Sequence, residues 1–565
     1  MQQIRTGMRR PGSQSAKGLL GKSESRREFI QGRPVSKRDP AKGCGNVMVL
    51  NCDVRELAAD EILLYSDLHG TEEDMSPGVA ARAFTKCNED VHSAGAALSG
   101  SQSAYGRAKP LVAIGNFDFD PSLIMLDLQA AGTDDMFDDV MTPLFDAAEI
   151  HGIDVAMCTT NVETHNMLQT WRLQRCPWTG GCYWMLSDVQ QAEAERLTFA
   201  LFQERLTVFF GAGLSFSSGL PSWDGLLEQL AERAGFTEDE RAELRALNIL
   251  DRPTLIQKKM GGPASFKAAV AETVRHGKFT PAHAMIATFG APAVTTNYDT
   301  CFEDAARSGG VQVVKVPWEQ AQHKEELRMD DQLLLGRAVS GKDALSGKER
   351  GERLVQRMTR RPLPLVKMHG DAAHPPSIVL TREDYMRYND GREALSGAVE
   401  SGLLSNEVLF VGFSMTDENV HRIIDQVRKV LYGGDEPAGT MGTIFAMVEN
   451  RMFRELWAND FQVVAMGGSW QDELNPAWVH DCMLDMIASL RANMLATDVF
   501  TLKRGFESQL TPPQQTVKEL LLPLVQLYGD KAVRHSSAWR HVATLCQKFG
   551  QAFDVDEEGC LRPLE

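Results

Sequence analysis

Residues 207–223, Thr-Val-Phe-Phe-Gly-Ala-Gly-Leu-Ser-Phe-Ser-Ser-Gly-Leu-Pro-Ser-Trp, join a short apolar run to glycines and hydroxyls and then to a helix-like segment from Asp224. A β-branched and aromatic strand ending in Gly211 and Gly213 lets backbone come close to a ligand. A helix that follows offers unpaired N–H groups and a positive dipole end to an anion. The phosphates of a nucleotide would suit such a place. An ordinary tight strand-to-helix turn reads the same way, and position 216 is Phe where a dinucleotide fingerprint wants a third glycine. On this segment alone the two readings are even.

The elements that would position these groups are short apolar strands: 206–210, 293–296, 365–368, 407–411 and 443–448, each ending in polar residues. Their composition predicts a parallel sheet buried on both faces. Ligands of an open α/β sheet bind beyond the carboxyl ends of its strands, where Gly211, Asn297, His369 and Gly412 all fall. Residues 46–195 also alternate, with strands expected at 46–54, 110–114, 123–128 and 153–159 and a helix at 135–151. A charged stretch within 319–361 reads as a helical insert or lid. After Trp470 the apolar spacing at 477–492 and 516–528 predicts amphipathic helices, for assembly or for packing on the core. The expected division is a disordered basic arm at 1–45, an α/β domain at 46–195, a nucleotide-binding α/β domain at 196–468 and a C-terminal helical region at 469–565.

Composition bounds the rest. The chain has 565 residues, 43% hydrophobic and 24% charged, which suits two to four globular domains. Of 59 Lys+Arg and 76 Asp+Glu, residues 1–45 hold 11 and 3, leaving a strongly acidic body of 48 against 73. An acidic surface repels phosphodiester backbones, so direct nucleic-acid binding is not expected outside the basic arm. No apolar run reaches the roughly 18 residues a membrane helix needs, and no signal-peptide core opens the chain. A cytoplasmic protein is expected. The ten cysteines are scattered, and the closest pair, Cys176 and Cys182, is too widely spaced for a usual metal knuckle. Reduced structural thiols are expected, and no metal.

Three further segments follow the glycine loop in order: Val-Thr-Thr-Asn-Tyr-Asp at 294–299; Val-Lys-Met-His-Gly at 366–370 with Ile-Val-Leu-Thr-Arg-Glu-Asp-Tyr at 378–385; and Phe-Val-Gly-Phe-Ser-Met-Thr-Asp at 410–417. Together they resemble the successive signatures of the SIR2 (sirtuin-like) family, over about residues 200–465. The resemblance implies a Rossmann-like parallel sheet and NAD as substrate. Cleaving the nicotinamide–ribose bond passes through an oxocarbenium-like centre, so a site must hold the ribose, orient the leaving group and ready a hydroxyl or water. By resemblance His369 is the catalytic histidine, an imidazole able to take that proton. Asn297, whose amide donates and accepts, would fix the attacking oxygen. Asp299 would bond the nicotinamide carboxamide, with Thr295 and Thr296 supporting the strand end. An Asx turn capping a helix from Thr300 is compatible with that role. Gly211, Ala212, Gly213 and Ser215 would face phosphate, and Asp224 would lie near the nicotinamide ribose. Gly412 and Ser414 would approach the diphosphate and ribose from the far side, and Asn450 the adenosine ribose. Thr381, Asp384 and Tyr385 are expected to be structural.

Departures from protein-deacetylating sirtuins bear on the activity. No cysteine lies between Gly370 and Gly412, where those enzymes carry two Cys-x-x-Cys pairs, and Gly-Leu-Pro-Ser-Trp at 219–223 replaces their Asp-Phe-Arg. Both features resemble the bacterial SIR2-like enzymes of anti-phage defence, which hydrolyse NAD to nicotinamide and ADP-ribose. A gated NAD glycohydrolase is therefore expected, assembled as a homo-oligomer and answering a phage or host protein or a nucleotide signal. A protein deacylase or ADP-ribosyltransferase, and a silent NAD or ADP-ribose sensor, are the alternatives. Residues 46–195 also resemble a macro domain, through Asn-Cys-Asp-Val at 51–54 and Ser-Pro-Gly-Val-Ala at 76–80. Asp53 would then face adenine and Gly78 a phosphate. Tyr-Ser-Asp-Leu-His at 65–69 and Thr-Thr-Asn at 159–161 depart from that pattern, and an unrelated scaffold domain is the other reading.

Overall fold

The computed structural model of the chain describes residues 38–40, 43–64, 79–115, 136–275, 277–320, 362–432, 440–468, 474–499, 512–549 and short pieces beside them. The arm at 1–37, the expected strand at 123–128, most of the charged insert and Gly78 lie outside the described residues.

Two parallel sheets organise the chain. The first holds β1 (Val47–Asn51), β2 (Glu61–Leu64), β3 (Leu111–Gly115) and β4 (Asp154–Thr159), in the order β1-β4-β3-β2. The second holds β5 (Leu206–Phe210), β6 (Ala293–Thr295), β7 (Val313–Val316), β8 (Leu363–Lys367), β9 (Glu407–Val411), β10 (Gly442–Val448) and β11 (Phe461–Gly467). Its order is β11-β10-β9-β5-β6-β8-β7, and every pairing is parallel. The Leu-Thr-Val-Phe-Phe run of β5 is buried at all five positions because helices cover both faces. The sheet has the Rossmann-like character that its apolar runs imply.

The C-terminal region does not stand apart. The helix Pro476–Val499 sits in one continuous apolar core with residues of both sheets, through Trp478, Val479, Met483 and Ile487. Polar contacts fasten it there. Arg172 and Asp485, both without exposed side-chain surface, form an ion pair at 2.7 Å, and Arg172 also reaches Tyr183, Ser489 and the Val47 carbonyl. Trp478 Nε1 donates to Asp154 Oδ1 at 3.0 Å, and Arg107 pairs with Asp154 at 3.1 Å and with Asp481 at 3.2 Å. The remaining C-terminal helices, including Pro512–Gln526 and Ser537–Lys548, build small clusters of their own. A short antiparallel pair, Phe553–Val555 with Leu561–Pro563, closes them.

The end of β1 and the loop after it also touch the helices and loops around the second sheet. Asn51 Nδ2 donates to the Gly309 carbonyl at 2.9 Å, the Asp53 N–H to Ser308 Oγ at 2.6 Å, and the Ala58 N–H to the Phe279 carbonyl at 2.9 Å. Residue 309 must be glycine here: a Cβ would lie 2.5 Å from the Asn51 carbonyl oxygen. Asp53 meanwhile pairs with Arg55 beside it.

Candidate active site

The chain starts the second sheet at its centre. It runs from β5 to β6, β7 and β8 on one side, then returns to β9, β10 and β11 on the other. The change of direction falls between β5 and β9, whose carboxyl ends carry the two glycine loops. Those loops are laced together. The Gly211 N–H donates to the Val411 carbonyl at 3.1 Å and the Gly213 N–H to the Gly412 carbonyl at 2.9 Å. A Cβ on Gly213 would stand 2.7 Å from the Gly412 oxygen, and one on Gly412, at φ +58, would stand 2.4 Å from the Leu214 nitrogen. The glycines therefore serve loop-to-loop contact first, while Ala212 and Gly213 remain exposed. A 3₁₀ segment, Ala212–Ser218, follows Gly211 directly. The α-helix expected to offer its dipole begins later, at Trp223, with Ser222 as its N-cap.

Asn297 lies two residues past Thr295, which pairs with Lys367; His369 lies two residues past Lys367. The register thus sets the amide and the imidazole beyond the ends of neighbouring strands. Asn297 is buried, and its Nδ2 donates to the Gly211 carbonyl at 3.2 Å and to Ser215 Oγ at 3.1 Å. A flipped amide would point its oxygen at the Gly211 oxygen, so the orientation is fixed by chemistry. Both amide hydrogens are used inside the protein, leaving Oδ1 as the acceptor for a water or sugar hydroxyl. The expected donor half of the amide is already committed.

Ser215 is buried at the centre of this cluster rather than turned toward phosphate. Its hydroxyl donates to Asp299 Oδ2 at 3.0 Å and lies 3.3 Å from His283 Nε2. Asp299 Oδ1 accepts from the Cys301 N–H at 3.0 Å, the Asx turn that starts the helix Cys301–Ser308. Both Asp299 oxygens thus have donors from the chain. His283, Asp299 and Cys301 bring a nitrogen, an oxygen and a sulfur within 4.8 Å of one another, with the Ser215 hydroxyl bonded to two of the three.

His369 is buried, with Nε2 3.4 Å from Asn419 Nδ2 and 3.6 Å from Asp417 Oδ2. Burial lowers its pKa below the ordinary imidazole value; Asp417 pulls upward and Arg392 adds to the lowering. The ring is neutral at neutral pH and able to accept a proton. Tyr385 stands edge-on to it and donates its hydroxyl to Asp417 Oδ2 at 2.9 Å, while Thr381 and Asp384 form a capping box.

Lys367 was not singled out by sequence, yet its ammonium is fully buried. It donates to the Asp299 carbonyl at 2.6 Å and pairs with Glu303 at 2.8 Å and Asp371 at 3.5 Å. It thereby holds the Asn297–Asp299 turn against β8. Other expected contacts fall at the margin. The Asp224 side chain is 76% exposed and pairs with Arg252 at 2.9 Å. Ser414 is exposed and bonded to Thr416, Thr296 is half-buried, and Asn450 caps the helix Arg451–Trp457 through the Phe453 N–H.

An all-parallel sheet that turns back between two interlocked glycine loops, with an amide and a neutral imidazole past adjoining strands, is the Rossmann-like arrangement that the SIR2 resemblance implies. Residues 292–463 match the model of the SIR2-like domain family. The protein described as NAD(+) hydrolase ThsA from Bacillus cereus (strain MSX-D12) is 28% identical over 233 residues, 41% of each chain. Its namesake from Enterococcus faecium is 26% identical over 247 residues, 43% of this chain and 44% of the relative. Defense-associated sirtuin 2 from Bacillus subtilis is 21% identical over 231 residues, 40% of this chain and 19% of the relative. The chain thus spans about two fifths of the length of the first of these relatives. No helix among the described residues is long and apolar enough to cross a membrane.

Proposed function

We propose that this chain hydrolyses NAD to nicotinamide and ADP-ribose as an effector of anti-phage defence. The observation that carries the reading is the placing of Asn297, whose Nδ2 is committed within the protein and whose Oδ1 is left as acceptor, and of a neutral His369 beyond adjoining strands. Nicotinamide leaves as a neutral molecule, and water bonds to the ribose anomeric carbon. Asn297 Oδ1 accepts a hydrogen bond from that water, and His369 takes the released proton. The names of the relatives, NAD(+) hydrolase and defence-associated sirtuin, support the substrate and the setting.

The division into a basic arm, an α/β unit at 46–195, the SIR2-like unit and a C-terminal region belongs to the same proposal, as do a homo-oligomer, a triggering signal and a cytoplasmic location. Contacts from Asn51, Asp53 and Ala58 to Gly309, Ser308 and Phe279 support the α/β unit as the gate. The full chain incubated with NAD and with extract of phage-infected cells should release nicotinamide and ADP-ribose in equal amounts. Asn297→Ala and His369→Ala should each abolish release while the folded protein persists. Acetyl-ADP-ribose or ADP-ribosylated protein as the product would replace hydrolysis by group transfer, and tight NAD binding without any product would make the chain a sensor.

A further inference from the structure

We propose that His283 is a positioning residue for Asn297, acting through Ser215 and resting on the NAD hydrolase reading above. His283 is fully buried on the helix Pro281–Thr288, whose N-cap is Thr280. The Thr280 backbone N–H, 3.2 Å from His283 Nδ1, can only donate, so Nδ1 carries the lone pair. The Thr280 hydroxyl also contacts Nδ1, at 2.8 Å. The neutral ring therefore carries its proton on Nε2, which faces Ser215 Oγ at 3.3 Å. A second proton on the ring would oppose the Thr280 N–H, and burial lowers the pKa to about 4.

This polarity propagates. With His283 donating, Ser215 Oγ accepts from His283 and from Asn297, and gives its own proton to the Asp299 carboxylate. Each partner has one role, and the serine cannot turn its proton toward the amide. Asn297 is then held by two acceptors, Ser215 Oγ and the Gly211 carbonyl, which leaves Oδ1 as its free acceptor. Without the imidazole donor the serine gains an idle lone pair and the amide loses a rigid partner. Misplacement of an attacking group by about 1 Å can lower a rate about 10²-fold.

The test is a double-mutant cycle in the full chain. His283→Phe keeps a ring without a donor, and His283→Gln restores an N–H near the Nε2 position. With NAD as substrate, His283→Phe should lower kcat by about 10²-fold and leave KM within about threefold, since the ring touches no substrate. His283→Gln should recover most of kcat. In a Ser215→Ala background, His283→Phe should have little further effect. Thermal melts establish which variants fold; if His283→Phe does not, His283→Gln and its pairing with Ser215→Ala decide the outcome. An active wild type with unaltered kcat in His283→Phe, or additive losses in the double mutant, overturns the positioning role. A wild type that never cleaves NAD under the trigger overturns the hydrolase reading instead. Solution NMR of histidine-labelled protein reads the inference separately: His283 should be the neutral Nε2–H tautomer, and an Nδ1–H signal would refute it.

Discussion

Asp485→Ala should damage the shared core more than any surface change. Asp485 is the carboxylate partner of Arg172, and neither side chain has exposed surface. Its Oδ2 also accepts from Asn46 Nδ2 at 3.2 Å. Removing the carboxylate leaves a buried guanidinium that cannot deprotonate and has lost its charge partner, a loss of about 3–5 kcal/mol. Net stabilities of folded domains are about 5–15 kcal/mol, so this is a large fraction. Urea unfolding followed by tryptophan fluorescence reports it, because Trp478 and Trp184 lie in this core. With a slope of about 3–4 kcal/mol per molar for a chain of this size, the midpoint should fall by about 1 M. Arg172→Met combined with Asp485→Leu removes both charges and should regain most of that loss. A shift under about 0.2 M in Asp485→Ala, or a double variant worse than the single, would refute the picture of a charge pair fastening the helix Pro476–Val499.

Acid should destabilise the fold through buried neutral histidines. His165 and His283 have folded pKa values pushed down to about 4, against about 6.5 for the unfolded chain. A depressed histidine lets the unfolded state bind more protons, so its contribution is full above pH 6.5 and is lost as pH falls toward 4. His283→Gln should flatten that decline in pH-dependent melts by roughly 3 kcal/mol across the window. Asp417→Asn removes the carboxylate that raises the His369 pKa, so the acidic limb of the kcat profile should move to lower pH; an upward move would contradict the assignment. Gly412→Ala combines positive φ with a clash at the Leu214 nitrogen and should weaken NAD binding in calorimetry by at least tenfold; unchanged affinity would free the loop from its role.

Strands buried on both faces were easy to read, and β5 and β9 have the bounds that their apolar runs predict. Three strands of the two parallel sheets are hard to read for a physical reason. β2 and β7 are short edge strands only partly buried, and β11 mixes Gln462 and Gly467 into its apolar run. Asn297 and His369 were legible because each follows its own strand. Ser215 and Asp299 were legible as candidates, but their mutual bond was not: it depends on bringing positions 215, 283 and 299 together. His283 did leave a local trace. Thr280-Pro281 is a helix-start signal, and the residue three past such a cap often bonds back to it. Lys367 left none, since a lysine in an apolar run shows its burial only once Glu303 and Asp371 are placed around it.

The helix Cys301–Ser308 has eight residues, about 12 Å of rigid backbone. One end begins at the turn that carries Asn297 and Asp299; the other abuts Asn51 at the tip of β1 with no room for a methyl group. It works as a strut. Asn51 and the turn that carries Asn297, more than 240 residues apart along the chain, thus stand at the two ends of one short helix.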